Sequence, residues 1–210
     1  VNHPVIESAA SKTKPNSSDR FMRCASLNAH SVRNKAAVIP TIFSAHKLDI
    51  LGITETWHQG DSDLALRRII PPGFSSIQTA RQSSHSANDT VCVGGGVAII
   101  YRNNLAMRRM NLDFKFSTFE FAAAMTTTTK AKLLFVVIYR PGSQAVRELF
   151  FTEFTSLLEA LVTYSADVVI TGDFNIHVDD QNDSNTRKLN ALLTSFDLIQ
   201  SVSGPTHVAG

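Results

Sequence analysis

At 210 residues the chain holds one large domain or two small ones, at roughly 100–200 residues each. Hydrophobic residues make up 43% and charged residues 18%, with a net charge of +2, which excludes a charge-driven disordered chain. No apolar run approaches the ~18 residues of a membrane span, and no charged-then-apolar leader opens the polar N-terminus.

Residues 1–20, rich in Ser, Lys, Asn and Pro without periodicity, read as a flexible tail, and residues 21–210 as the folded domain. Strands are expected at Met22–Leu27, Asp49–Thr54, Gly96–Tyr101, Phe119–Met125, Leu133–Tyr139 and Asp167–Thr171, most of them bounded by turn formers or charges. The Gly94-Gly95-Gly96 run permits close backbone approach before the third. A helix is expected over Lys35–His46, interrupted by Pro40. Another follows a Ser143 cap, with Val146, Leu149, Phe150, Phe154, Leu157, Leu158 and Leu161 at helical spacing. A last one, capped by Asn185, places Leu189, Leu192, Leu193 and Phe196 on one face. Strands and helices mixed in this way imply an α/β or α+β sandwich with sheets beneath helices.

Charge is uneven. Residues 1–150 carry 18 basic and 10 acidic groups, whereas residues 151–210 carry 2 and 8. That suits a protein that attracts phosphates beside a bound cation, and it suits solvated faces equally well. Cys24 and Cys92 are too few for a disulfide framework, and no CxxC or His/Cys cluster points to zinc. Two reduced thiols in an intracellular protein are expected.

Chemistry collects where the strands stop. Asn28 follows the first, Glu55 the second, Tyr139 and Arg140 close the fifth, and Gly172-Asp173-Phe174-Asn175 closes the sixth. Strand ends bring distant positions together, and the loops there commonly hold the site. In an extended Asp173-Phe174-Asn175 the two polar groups face one side while Phe174 turns to the core. Their hard oxygens suit Mg²⁺ or Mn²⁺. Taken alone, the same triplet is equally an Asx turn.

At these residues the sequence resembles the endonuclease/exonuclease/phosphatase superfamily, the DNase-I-like four-layered α/β/β/α sandwich. Within it the chain is most similar to the apurinic-type endonuclease domain of non-LTR (LINE) retrotransposons. The resemblance rests on Ser26-Leu27-Asn28-Ala29-His30-Ser31-Val32-Arg33-Asn34-Lys35 and Asp49-Ile50-Leu51-Gly52-Ile53-Thr54-Glu55-Thr56-Trp57. It continues in Gly94–Tyr101, Ile138-Tyr139-Arg140-Pro141 and Gly172-Asp173-Phe174-Asn175, in family order over residues 21–207. The resemblance implies two packed sheets flanked by helices, and Mg²⁺ or Mn²⁺ as cofactor. It implies DNA as partner, nicked to prime a reverse-transcriptase domain downstream in the same polypeptide, and hence a nuclear location.

Residue by residue, it implies Glu55 as metal ligand, with Asn28 beside it placing metal and phosphate. Tyr139 would contact the phosphate, Asp173 orient or deprotonate the attacking water, and Asn175 hydrogen-bond the phosphate. Thr206, in Gly204-Pro205-Thr206-His207, matches a family threonine, and Arg140 is the better phosphate ligand among the basic residues. The other basic candidates are Arg33, Lys35, Arg67, Arg68, Arg81, Arg102, Arg108 and Arg109, with Arg67 and Arg68 read as solvated surface. Trp57 reads as a packing residue, and His30 and His177 as loop residues. The family continues into an aspartate and a Ser-Asp-His element, whereas this sequence stops at Gly210. A domain without its last strands, poorly active by itself, is therefore expected. The alternatives are a superfamily enzyme acting on lipid, inositol phosphate or RNA, and a catalytically dead DNA-binding remnant.

Overall fold

The apolar runs pair into two sheets. A computed structural model describes residues 5–7, 22–60, 62–81, 94–127 and 131–202. The first sheet contains β1 (Val5–Glu7), β2 (Cys24–Asn28), β3 (Ile50–Thr54), β4 (Phe74–Thr79) and β5 (Val97–Arg102), in the order β1-β2-β3-β5-β4. The second contains β6 (Arg108–Arg109), β7 (Glu120–Thr127), β8 (Lys132–Tyr139) and β9 (Asp167–Asp173), in sequence order. Among the described strand pairs, β2–β3 and β8–β9 run parallel and the others antiparallel. The three residues of β1 pair antiparallel with β2, so this part of the expected tail is strand.

Helices α1 (Val38–His46) and α2 (Leu64–Arg68) cover the outer face of the first sheet through Ile39, Phe43, Leu66 and Ile69. Helices α3 (Glu148–Val162) and α4 (Ser184–Ser195) cover the second, through Phe150, Phe154, Leu157, Leu161 and Leu189. Between the sheets lie Ile50, Val97, Ile99, Ala122, Ala124, Phe135 and Val137. The layers are therefore α/β/β/α. Gly52 sets how closely the sheets approach, because a Cβ there would stand 2.7 Å from Val137 Cγ2 and 2.9 Å from Thr171 Cγ2.

Three helix boundaries differ from the sequence expectation. Pro40 does not interrupt α1; it occupies the first turn, where the backbone N–H has no intrahelical partner to lose. Helix α4 is capped by Asp183 rather than Asn185, because the Asp183 carboxylate accepts from both Asn185 N and Thr186 N. Helix α3 begins at Glu148, not beside Ser143, since residues 141–147 form a turn and extended segment. Arg140 holds that segment by donating to the carbonyls of Pro141 and Gln144. Leu149 then faces solvent while Phe150 is buried.

Candidate active site

The two parallel strand pairs end at one rim. Asn28 closes β2 opposite Thr54 of β3, and Glu55 follows directly. Tyr139 closes β8 opposite Asp173 of β9. Gly52 lets the two pairs face each other, so four chemically distinct side chains converge. Asn28 Nδ2 donates to Glu55 Oε1 and to Asp173 Oδ2, each at 2.7 Å. One amide thus bridges carboxylates 118 residues apart in sequence (173 less 55).

Tyr139 is 7% exposed and its hydroxyl hydrogen-bonds Glu55. Burial, and next the charge of Glu55, push its pKa up to about 12. It is therefore a hydrogen-bond donor at neutral pH and not a base.

Asp173 and Asn175 do not lie on extended backbone as expected. Strand β9 stops at Asp173, Asn175 takes a left-handed φ of 49°, and its N–H donates to Asp173 Oδ1 at 3.0 Å. This is the Asx-type turn, and it coexists with the bond from Asn28 to the other oxygen. Phe174 packs as expected: its ring lies 5.5 Å from Phe154 and 6.4 Å from Phe150. Gly172 is required in β9, because at its φ of 129° a Cβ would collide with the Ile138 carbonyl.

Arg140 departs from its expected role. It is 4% exposed, and burial lowers its pKa from the ordinary guanidinium value. Its guanidinium donates to the carbonyls of Phe174, Asn175, Pro141 and Gln144 at 2.6–3.1 Å. Asn175 Nδ2 returns a bond to Arg140 O at 2.8 Å. Arg140 therefore fixes the Asp173–Asn175 turn rather than presenting its charge to a phosphate. Asn28 turns its nitrogen to both carboxylates, and its Oδ1 accepts from His30 N at 3.1 Å. Thr206 lies outside the described residues.

Backbone strain gathers here too. His30, Ser31, Glu55, Trp57 and Asn175 all have positive φ, a conformation uncommon for non-glycine residues and concentrated at functional sites. The neighbouring loops hold it in place. Ser31 N donates to Glu55 O, and Trp57 N to Gly95 O, at 2.8 and 2.9 Å. A Cβ on Gly96 would lie 2.5 Å from Thr56 Oγ1, which is why this run must be glycine.

Sequence reasoning missed two groups. Glu120, opposite Tyr139 in register, accepts from Gly96 N and from Arg81 Nε, tying the glycine run to the rim. Its position at the start of an apolar strand was the available signal. His30 Nδ1 lies 3.3 Å from Glu55 Oε2; its place two residues after Asn28 was the available signal. Arg102, by contrast, serves the fold, pairing with Asp49 at 3.0 Å.

The sequence profile of the endonuclease/exonuclease/phosphatase family matches residues 24–208. The chain belongs to that family. Its fold is shared with the endonuclease domain of TRAS1, a telomere-specific non-LTR retrotransposon, at a TM-score of 0.59 and 12% identity over 83% of this chain and 70% of that one. It is also similar to a 3′-5′ exonuclease from Neisseria meningitidis (TM-score 0.59, 17% identity, 83% and 71% covered). An AP endonuclease from Archaeoglobus fulgidus aligns at 0.53, with 17% identity and 83% and 70% covered. No curated protein matches the sequence. Among the described residues of this family member, no helix is long and apolar enough to cross a membrane.

Proposed function

We propose that the chain is a divalent-cation-dependent phosphodiesterase that nicks one strand of DNA. The observation that carries the proposal is the single amide of Asn28 holding the Glu55 and Asp173 carboxylates at 2.7 Å each. Hydrolysis of a phosphodiester needs a water directed at phosphorus, donors for the non-bridging oxygens and compensation for developing charge. Asp173, fixed on one oxygen by Asn28 and on the other by Asn175 N, orients the water and accepts its proton. Tyr139, kept neutral, donates its single O–H to Glu55 and holds that carboxylate at the rim. Asn175, held by Arg140, adds a donor. Arg140 and Asn28 are positioning residues.

A divalent ion fits the donor chemistry at Glu55, whose Oε2 is a hard anionic oxygen not engaged by Asn28. Among the described residues no group of three or more His, Cys, Asp or Glu side chains is arranged to hold a metal. Glu55 would thus hold Mg²⁺ or Mn²⁺ weakly, with water and substrate phosphate completing the shell. When bound, the ion supplies charge neutralisation at the phosphoryl oxygens.

DNA is favoured as substrate by two fold neighbours: a retrotransposon endonuclease domain and a Neisseria 3′ phosphatase solved with a product DNA hairpin. On this reading the nick leaves a 3′-hydroxyl that primes a reverse-transcriptase domain of the same polypeptide, acting on chromosomal DNA in the nucleus. The test is conversion of supercoiled plasmid to open circle with Mg²⁺ or Mn²⁺. The reading requires cation-dependent nicking that EDTA stops and Glu55→Gln removes. Release of phosphate from inositol phosphates, with plasmid left intact, would reassign the substrate.

A further inference from the structure

His30 sits beside Glu55, the proposed cation-holding residue, and has no role in the hydrolysis proposed for this site. Its Nδ1 lies 3.3 Å from Glu55 Oε2, the carboxylate oxygen that Asn28 leaves free. That is long for a charge-assisted hydrogen bond, which usually spans about 2.7–2.9 Å. It is close to the separation of two neighbouring ligands on one octahedral ion, about 3.0 Å for bonds of about 2.1 Å.

The imidazole is aimed, not adrift. His30 takes a left-handed φ of 44°, and its N–H donates to Asn28 Oδ1. Its ring packs against Trp57 with centroids 4.8 Å apart and planes tilted by 58°. Trp57 is itself held by its backbone bond to Gly95. The side chain remains 71% exposed, so the imidazole is open to ions from solvent.

We infer that His30 Nδ1 is a ligand of the cation held by Glu55, and that this nitrogen makes the site prefer Mn²⁺ and later first-row divalent ions over Mg²⁺. The inference rests on the reading of Glu55 as the cation-holding residue. Imidazole adds to the affinity for transition metals along the Irving–Williams order. It adds little for Mg²⁺, which takes oxygen ligands and retains its waters. In the neutral ring the proton then sits on Nε2.

Pulsed EPR of the chain loaded with Mn²⁺ alone tests this, because a coordinated imidazole imposes a ¹⁴N modulation on the electron spin echo. The wild type should show the modulation, and His30→Asn should lose it. Asn tolerates the left-handed backbone, so this variant should keep the wild-type melting curve. His30→Asn should weaken Mn²⁺ binding by at least about tenfold, the lower end of what loss of a supporting group around a metal costs. Mg²⁺ binding should change far less. If Mn²⁺ binds through Glu55, as judged by its loss in Glu55→Gln, and no nitrogen modulation appears, His30 is not a ligand, although the reading of Glu55 stands. Modulation that persists in His30→Asn also overturns the inference. Mn²⁺ binding that Glu55→Gln leaves unchanged overturns the reading of Glu55 and the inference together.

Discussion

Replacing Asn28 by Asp changes almost no volume and reverses the electrostatics of the rim. The wild-type amide donates two hydrogen bonds of 2.7 Å to Glu55 and Asp173. Hydrogen bonds to charged groups contribute roughly 1.5–3 kcal/mol each, and the partly exposed rim argues for the lower figure. Loss of both gives about 3 kcal/mol, to which repulsion among three carboxylates adds. For a domain of this size that lowers the melting temperature by about 6–12 °C. The assay is thermal unfolding of Asn28→Asp and wild type at pH 7.5 in EDTA, which should show this gap. A divalent ion at pH 7.5 should restore part of it, since a third carboxylate is itself a ligand. Equal melting of the two proteins at pH 7.5 would refute the bridging role of Asn28.

Arg140→Lys should destabilise the fold by at least about 2 kcal/mol, because buried carbonyls of the 140s and 170s segments lose donors that lysine cannot supply. The same variant should leave the salt dependence of DNA binding unchanged; a shallower slope of log K against log salt would mean that Arg140 neutralises a phosphate after all. Alkaline absorbance titration should show one late-ionising tyrosine, near pH 12, that Tyr139→Phe removes. The fold favours the neutral phenol, so the stability associated with Tyr139 is whole below pH 10 and lost as pH rises through about 12.

Much of the sandwich is legible along the chain because buried strands announce themselves as apolar runs. β2, β3, β5, β7, β8 and β9 all fall within a residue or two of expectation. β4 does not, since Ser75, Ser76 and Gln78 break the run and only Ile77 is buried. The caps were ambiguous for a local reason: Asp183 and Asn185 are both good capping residues, and the choice depends on which carboxylate or amide oxygen reaches two free N–H groups. Arg140 illustrates the limit better. Beside Tyr139 it reads as a phosphate ligand, and only the return of β9 alongside β8 reveals the carbonyls that consume its donors. The same holds for Asn28. Its meeting with both carboxylates depends on the register of two parallel strand pairs and on left-handed residues at 30, 55 and 175, none of which a local pattern carries.

The central claim is that Glu55 and Asp173 act as one hydrolytic unit, and a double-mutant cycle on plasmid nicking tests it most directly. Asp173→Asn should slow nicking by about a hundredfold or more, the scale of losing a positioned acid–base group, and Glu55→Gln by at least as much, through loss of the cation's charge neutralisation. Groups that depend on one another lose activity non-additively. The double variant should nick no more slowly than the worse single variant. Losses that multiply, with the double variant slower by the product of the two factors, would show that the carboxylates act independently and would contradict that claim.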